Sequence, residues 1–221
     1  MSKVEWFRRT TWTAADAADF AARLARSRSP FHKAQYLRIQ AVHLHAVGTP
    51  ELTVAALGLL DQLLAEWPDA SQLSLAHTQR AQCLIDLGRP AEALDAYRDA
   101  LRARRAAPNI GNDAHLAFGE LVVALGRAEL YDEVLAALDE FGGSEPFPAQ
   151  RYSAATTRAL IADHQGDAAA AAQWARIALT AASKTESPFP RHKQIGLVQF
   201  TDPEVYMRLR ALAGEQRDQA I

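Results

Sequence analysis

Cysteine is almost missing from this chain: of 221 residues only Cys83 carries a thiol, which excludes a disulfide framework. Lysine is scarce, four residues against twenty arginines, the bias expected of a GC-rich bacterial genome. No run approaches the roughly 20 apolar residues of a membrane span, and the opening MSKVEWFRRTTW holds no apolar stretch of signal-peptide length. The expectation is a cytoplasmic protein with no membrane partner. Neither sign of charge dominates: 24 Lys and Arg face 26 Asp and Glu, for a net −2. With no basic stripe interleaved with aromatics, nucleic acid is disfavoured as a partner.

Catalytic signatures are missing too. There is no nucleophile elbow, glycine-rich phosphate loop or HExxH. His43 and His45 lie two apart in a helical stretch and so point to different faces, whereas a shared metal needs a spacing of three or four. His77 and Cys83, six apart, do not align either, and Cys83 reads as a small core residue. The expectation is a non-enzyme with no cofactor and no metal.

What is present is a repeated pattern, clearest from Leu75 to Leu101. That stretch reads as a helix, a turn at Gly88-Arg89-Pro90, and a second helix with Ala93, Leu94, Tyr97, Ala100 and Leu101 on one face. Gly88 suits a helix end and Pro90 the first turn of the next helix. Helix-ending glycines recur at Gly48, Gly88, Gly126 and Gly166, separated by 40, 38 and 40 residues, and seven residues before each lies Ala41, Ala81, Gly119 or Ala159. A fixed period with fixed punctuation is the mark of a repeat array, whose units bury their apolar faces against neighbours.

These residues resemble the tetratricopeptide repeat (TPR) family over about residues 34–183. Ala81 takes the family's small position in the first helix of a repeat; Ala93, Tyr97 and Ala100 take the Ala, aromatic and Ala positions of the second. Ala159, Ala171, Ala175 and Ala178 match in the fourth repeat, while the first and third match with a few extra turn residues. The period exceeds the family's 34 or so, and the apolar position before the small residue is here Gln40, Arg80, Phe118 and Arg158. A HEAT-like helical repeat is the alternative architecture. The resemblance implies an all-α, right-handed α–α superhelix in one domain: an N-terminal cap over 1–29, four helical hairpins over 30–183, and an irregular segment plus C-terminal helix over 184–221.

Trp6, Phe7 and Trp12 cap the first apolar layer. Thr13 with Asp16 forms a capping box for a helix with apolar face Ala17, Phe20, Ala21 and Leu24. Asn112 or Asp113 caps the third repeat. Residues 184–202 read as an ordered extended segment lying on the last repeat, Asp202-Pro203 starts a last helix, and the tail GEQRDQAI reads as frayed.

In TPR-like arrays the first helix of each repeat lines a concave groove that takes a protein or peptide. The resemblance places Gln35, Arg38, Val42 and His45 there in the first repeat, and Thr78, Gln82, Ile85 and Asp86 in the second. Leu116, Glu120 and Val123 follow in the third repeat, and Ser153, Thr156, Asp163 and His164 in the fourth. Two basic segments, one with Arg28, His32 and Lys33 and one with Arg191, His192 and Lys193, each set phenylalanine beside cations and suit an acidic or phosphorylated partner. The function expected is a non-enzymatic protein-interaction module, in one version a bacterial immunity or effector-binding protein. The alternatives are a self-assembling scaffold, which makes a homo-oligomer, and a small-molecule or phospho-ligand binder.

Overall fold

A computed structural model describes residues 5–142, 145–189 and 191–215. Among them the regular structure is helical, with no strand: α1 (Ala14–Arg26), α2 (Pro30–His45), α3 (Pro50–Glu66), α4 (Ala70–Asp86), α5 (Pro90–Ala106), α6 (Ala114–Ala124), α7 (Tyr131–Phe141), α8 (Pro148–His164), α9 (Ala168–Ala182) and α10 (Pro203–Leu212). By contacts the chain forms two compact units, Met1–Ala114 and His115–Ile221.

In the first unit α2 pairs with α3 and α4 with α5, and α4 also packs beside α2 and α3. Gly88 ends α4 at φ +71°, a left-handed conformation in which a Cβ is strained. There the Arg89 amide donates to the Leu84 carbonyl at 2.8 Å and the Gly88 amide to the Ile85 carbonyl at 2.9 Å, the paired bonds of a Schellman stop. Proline opens α2, α3 and α5. Ala41 and Ala81 are fully buried alongside Leu37, Leu44, Leu84 and Tyr97.

The N-terminal segment closes this unit as expected. Trp6 lies against Phe20 and Tyr36, with ring centroids 5.2 and 4.8 Å away, and Trp12 against Phe20 at 5.4 Å. The Thr13 and Asp16 side chains form a reciprocal capping box on α1. Phe20 and Leu24 carry the buried face of α1, while Ala21 is exposed. Gln40 is fully buried, and its amide is satisfied by backbone: the Arg9 N–H donates to Oε1 at 3.0 Å and Nε2 donates to the Arg9 carbonyl at 2.8 Å.

In the second unit Gly119 on α6 sits where a Cβ would come within 2.9 Å of the Thr157 methyl and 3.1 Å of Val134, so α6, α7 and α8 meet at that small position. The turn into α7 carries a short 3-10 helix, Ala128–Leu130. The last pair, α8 with α9, is faced with alanine: Ala155, Ala159, Ala175 and Ala178 are buried, and Leu209 of α10 fills the layer above them.

Residues 184–202 depart from the extended reading. The described part is a chain of turns, with the His192, Ile195 and Leu197 amides donating three residues back. It folds onto the start of α8, where the Gly196 carbonyl accepts from the Ala149 amide at 2.9 Å and Phe189 packs on Phe147. Gly196 has φ +78°, and a Cβ there would run into the Phe147 ring; the left-handed residue turns the chain where an extended segment was expected. Phe200 stays 80% exposed. In the tail, Gly214 ends α10 with the Glu215 amide bonded to the Arg210 carbonyl at 3.0 Å; residues 216–221 lie outside the described residues.

Two predictions follow from the N-terminal packing. Gln40→Leu leaves the Arg9 amide and carbonyl unsatisfied and should cost about 1–3 kcal/mol, read by denaturant unfolding, with altered Trp6 and Trp12 fluorescence in the native baseline. Asp16 is held at about 2, below the usual 3.8, first by the Thr13 backbone N–H and then by the Thr13 hydroxyl. A carboxylate depressed on folding contributes stability above its unfolded pKa and loses it as pH falls through the folded value. Asp16→Asn should therefore be less stable at neutral pH and show a shallower loss of stability between about pH 4 and pH 2; parallel acid-unfolding curves for the two proteins would refute this.

Candidate functional site

α2 and α4 lie side by side, and their shared face holds most of the residues expected in the first two repeats. Arg38 is half-buried. Its Nε donates to Gln72 Oε1 at 2.7 Å, and Nη1 reaches Gln79 Oε1 at 3.5 Å. Among the described residues no carboxylate accepts from it; burial pushes its pKa below the usual arginine value because a desolvated charge is disfavoured. Two turns further on, His45 Nε2 meets Asp86 Oδ2 at 2.6 Å across the two helices. Around these polar links Val42 and Ile85 are exposed, 37% and 36%, as is Gln82, while Gln35 is half-buried. Thr78 turns inward: its hydroxyl donates to the Ser74 carbonyl at 2.8 Å, and Asn112 Nδ2 lies 3.3 Å from it. Asn112 Oδ1 also accepts from the Ala114 amide at 3.1 Å, serving the start of α6.

The positions proposed in the second unit are less open. Glu120 pairs with the Ser153 hydroxyl. Asp163 Oδ2 accepts from Arg208 of α10 at 2.6 and 3.0 Å. His164 is exposed with its ring edge-on to Tyr131. Leu116 and Thr156 are buried at 5% and 8%, so neither offers a surface to a partner. Val123 is half-buried. The Thr156 hydroxyl lies one turn from Tyr152, where burial, only partly offset by Thr156, raises the phenol's pKa.

The two basic segments fall in different units. Arg28 and His32 are exposed; Lys33 is committed to the face of Trp67, with Nζ 5.0 Å from the ring centroid, a cation–π contact. Arg191, His192 and Lys193 are exposed on the turns of the second unit. The three departures from the TPR pattern take separate routes: Gln40 goes inward, Arg80 pairs with Asp61 at 2.7 Å, and Arg158 pairs with Asp139 at 2.6 Å beside the Trp174 ring. Gln72 and Gln79, which hold Arg38, gave no signal in sequence, because glutamine at 34 and 41 residues' distance carries no periodicity that marks a partner.

Among the described residues no group of three His, Cys, Asp or Glu side chains converges as metal ligands, and no described helix is long and apolar enough to cross a membrane. These residues define an all-α chain of packed helix pairs. No protein-family model, curated protein or solved structure matches it.

Cys83 is 1% exposed, and burial pushes its thiol up to about 12. Since only the thiolate is nucleophilic, iodoacetamide should leave Cys83 unmodified under mildly alkaline native conditions and alkylate it along the denaturant-unfolding curve. Rapid labelling of the folded protein would contradict the burial.

Proposed function

We propose that this chain is a non-enzymatic interaction module whose α2/α4 face binds a protein or peptide partner, with its helix pairs following the right-handed α–α superhelix of TPR-like repeats. The observation that carries the reading is Arg38: a half-buried guanidinium held by two glutamine oxygens without a carboxylate, beside exposed Val42 and Ile85. Such a charge costs stability where it stands, and a carboxylate on a bound partner offsets that cost. The two apolar side chains supply the area that such a partner covers. A cytoplasmic setting and a role as a bacterial immunity or effector-binding protein fit this reading by analogy alone.

A second reading, self-assembly, is favoured by Phe200, exposed at 80% in the same segment as Ile195 at 48%. A mass that rises with concentration in the wild type and not in Phe200→Ser would support it; a constant monomer mass rejects it.

The groove test uses Val42→Glu/Ile85→Glu. Arg38 and His45 hold α2 to α4, so charge reversal there would loosen the unit as well as the site. The exposed pair should change stability by only about 0.5 kcal/mol or less. Capture by the tagged full chain from its native cell should give a partner that the double variant loses. Equal capture by both proteins would overturn the α2/α4 assignment.

A further inference from the structure

The second unit holds a pocket of about 360 Å³ between the start of α8 and the C-terminal half of α9, lined in part by Pro148, Arg151, Arg176, Ile177, Thr180 and Lys184. Its size lies at the small end of ligand pockets, about 300–1,000 Å³. Three of its side chains are cations, and among the described residues no carboxylate lines it. Elsewhere in this unit arginines hold carboxylates: Arg127 with Glu129, Arg158 with Asp139, Arg208 with Asp163 and Arg210 with Glu215. At the pocket, among the described residues, Arg151 reaches only the Pro146 carbonyl, at 3.5 Å.

Helix electrostatics accounts for Lys184, just past the C-terminus of α9, but not for Arg151 or Arg176. Arg151 stands in the first turns of α8, near the positive end of the helix dipole, where a carboxylate is the favoured residue; the first turn of α8 has no acidic side chain and its N-cap no side-chain hydrogen bond. Arg176 lies mid-helix on α9, with Lys184 just past the end. The Thr180 hydroxyl donates to the Arg176 carbonyl at 2.8 Å, so the donors facing a ligand are the three cations and the Gln173 amide. Between them the apolar surface is mainly the 38%-exposed Ile177, with the largely buried Pro148 beside it.

We propose that this pocket binds an organic phosphate monoester, its phosphoryl group between Arg151, Arg176 and Lys184 and its organic body on Pro148 and Ile177. A phosphate monoester near neutral pH carries nearly two charges and three acceptor oxygens, enough to meet three separate cations. A carboxylate carries one charge and two oxygens, and an inorganic ion leaves the apolar wall uncovered. The site is separate from the α2/α4 face and does not rest on it.

The test is calorimetric titration of the full chain with phenyl phosphate, with benzoate as the monoanionic control. Phenyl phosphate should bind with a Kd of about 1 mM or tighter. The affinity should fall at least roughly tenfold in Arg151→Gln/Arg176→Gln, the loss expected for one charge-assisted hydrogen bond, and should fall in the single variant Lys184→Gln. It should be unchanged in Val42→Glu/Ile85→Glu. Unaltered helicity in the exposed glutamine variants keeps the comparison clean. A phosphoserine tripeptide that binds more tightly than phenyl phosphate would assign the ligand to a phosphorylated chain, and the reverse order to a free ester; either order upholds the site. Absence of phenyl phosphate binding, equal affinity for benzoate, or full affinity in the double variant overturns the proposal.

Discussion

A helix that stops leaves its last carbonyls without amide partners, and a second helix can double back only if those carbonyls are met within a residue or two. At the ends of α4, α6 and α8 one glycine with positive φ does both jobs. It turns the chain, and it lets the next two amides reach back into the helix just finished. Seven residues earlier, a small side chain fixes how closely the helices can pack, and Gly119 shows the limit, since a methyl group there would collide with Thr157. The helix pairs follow from these two local requirements. Because both are local, they repeat at nearly constant spacing.

Small side chains at the contacts bring helices together but supply little apolar area, so the ends need help from larger residues. In the first unit that help comes from the N-terminal segment, where Trp6 and Trp12 close over Phe20 and the Arg9 backbone is held by Gln40. In the second unit α10 sets Leu209 into the alanine layer of α8 and α9. The alanine-faced last pair is the place where loss of one large side chain would remove the greatest share of apolar burial.

Features that rest on backbone chemistry were legible in the sequence. Gly88, Gly126 and Gly166, the prolines opening α2, α3 and α5, and the Thr13–Asp16 box all stand where their conformational preferences place them. What rests on long-range polar contact was not. Gln40 breaks the apolar pattern of its helix because it serves backbone 31 residues away, and nothing in its neighbours announces that. Asp163 points to Arg208, 45 residues on, which takes it out of an open face. The apolar residues of 184–202 suggested an extended segment against the last repeat, but the left-handed Gly196 beside Phe147 belongs to a chain of turns, and Phe200 lies in solvent. On α2 and α4 the residues expected to line an open groove divide by contact: Arg38 and His45 tie the two helices together and Thr78 turns inward, while Val42, Gln82 and Ile85 are exposed.

The net charge of −2 conceals a local imbalance that separates two kinds of arginine. Surface ion pairs contribute little to stability, so the exposed Arg151 and Arg176, which show no ion pair among the described residues, cost the fold almost nothing by lacking one. Arg38 differs because it is desolvated. A carboxylate in place of Gln72 would stabilise the guanidinium more and would also cancel its field. Glutamine orients the group and leaves the charge intact, so under the proposed function an acidic partner at the α2/α4 face would meet a cation already desolvated and held in place, at a smaller cost in ordering than a mobile surface arginine would impose.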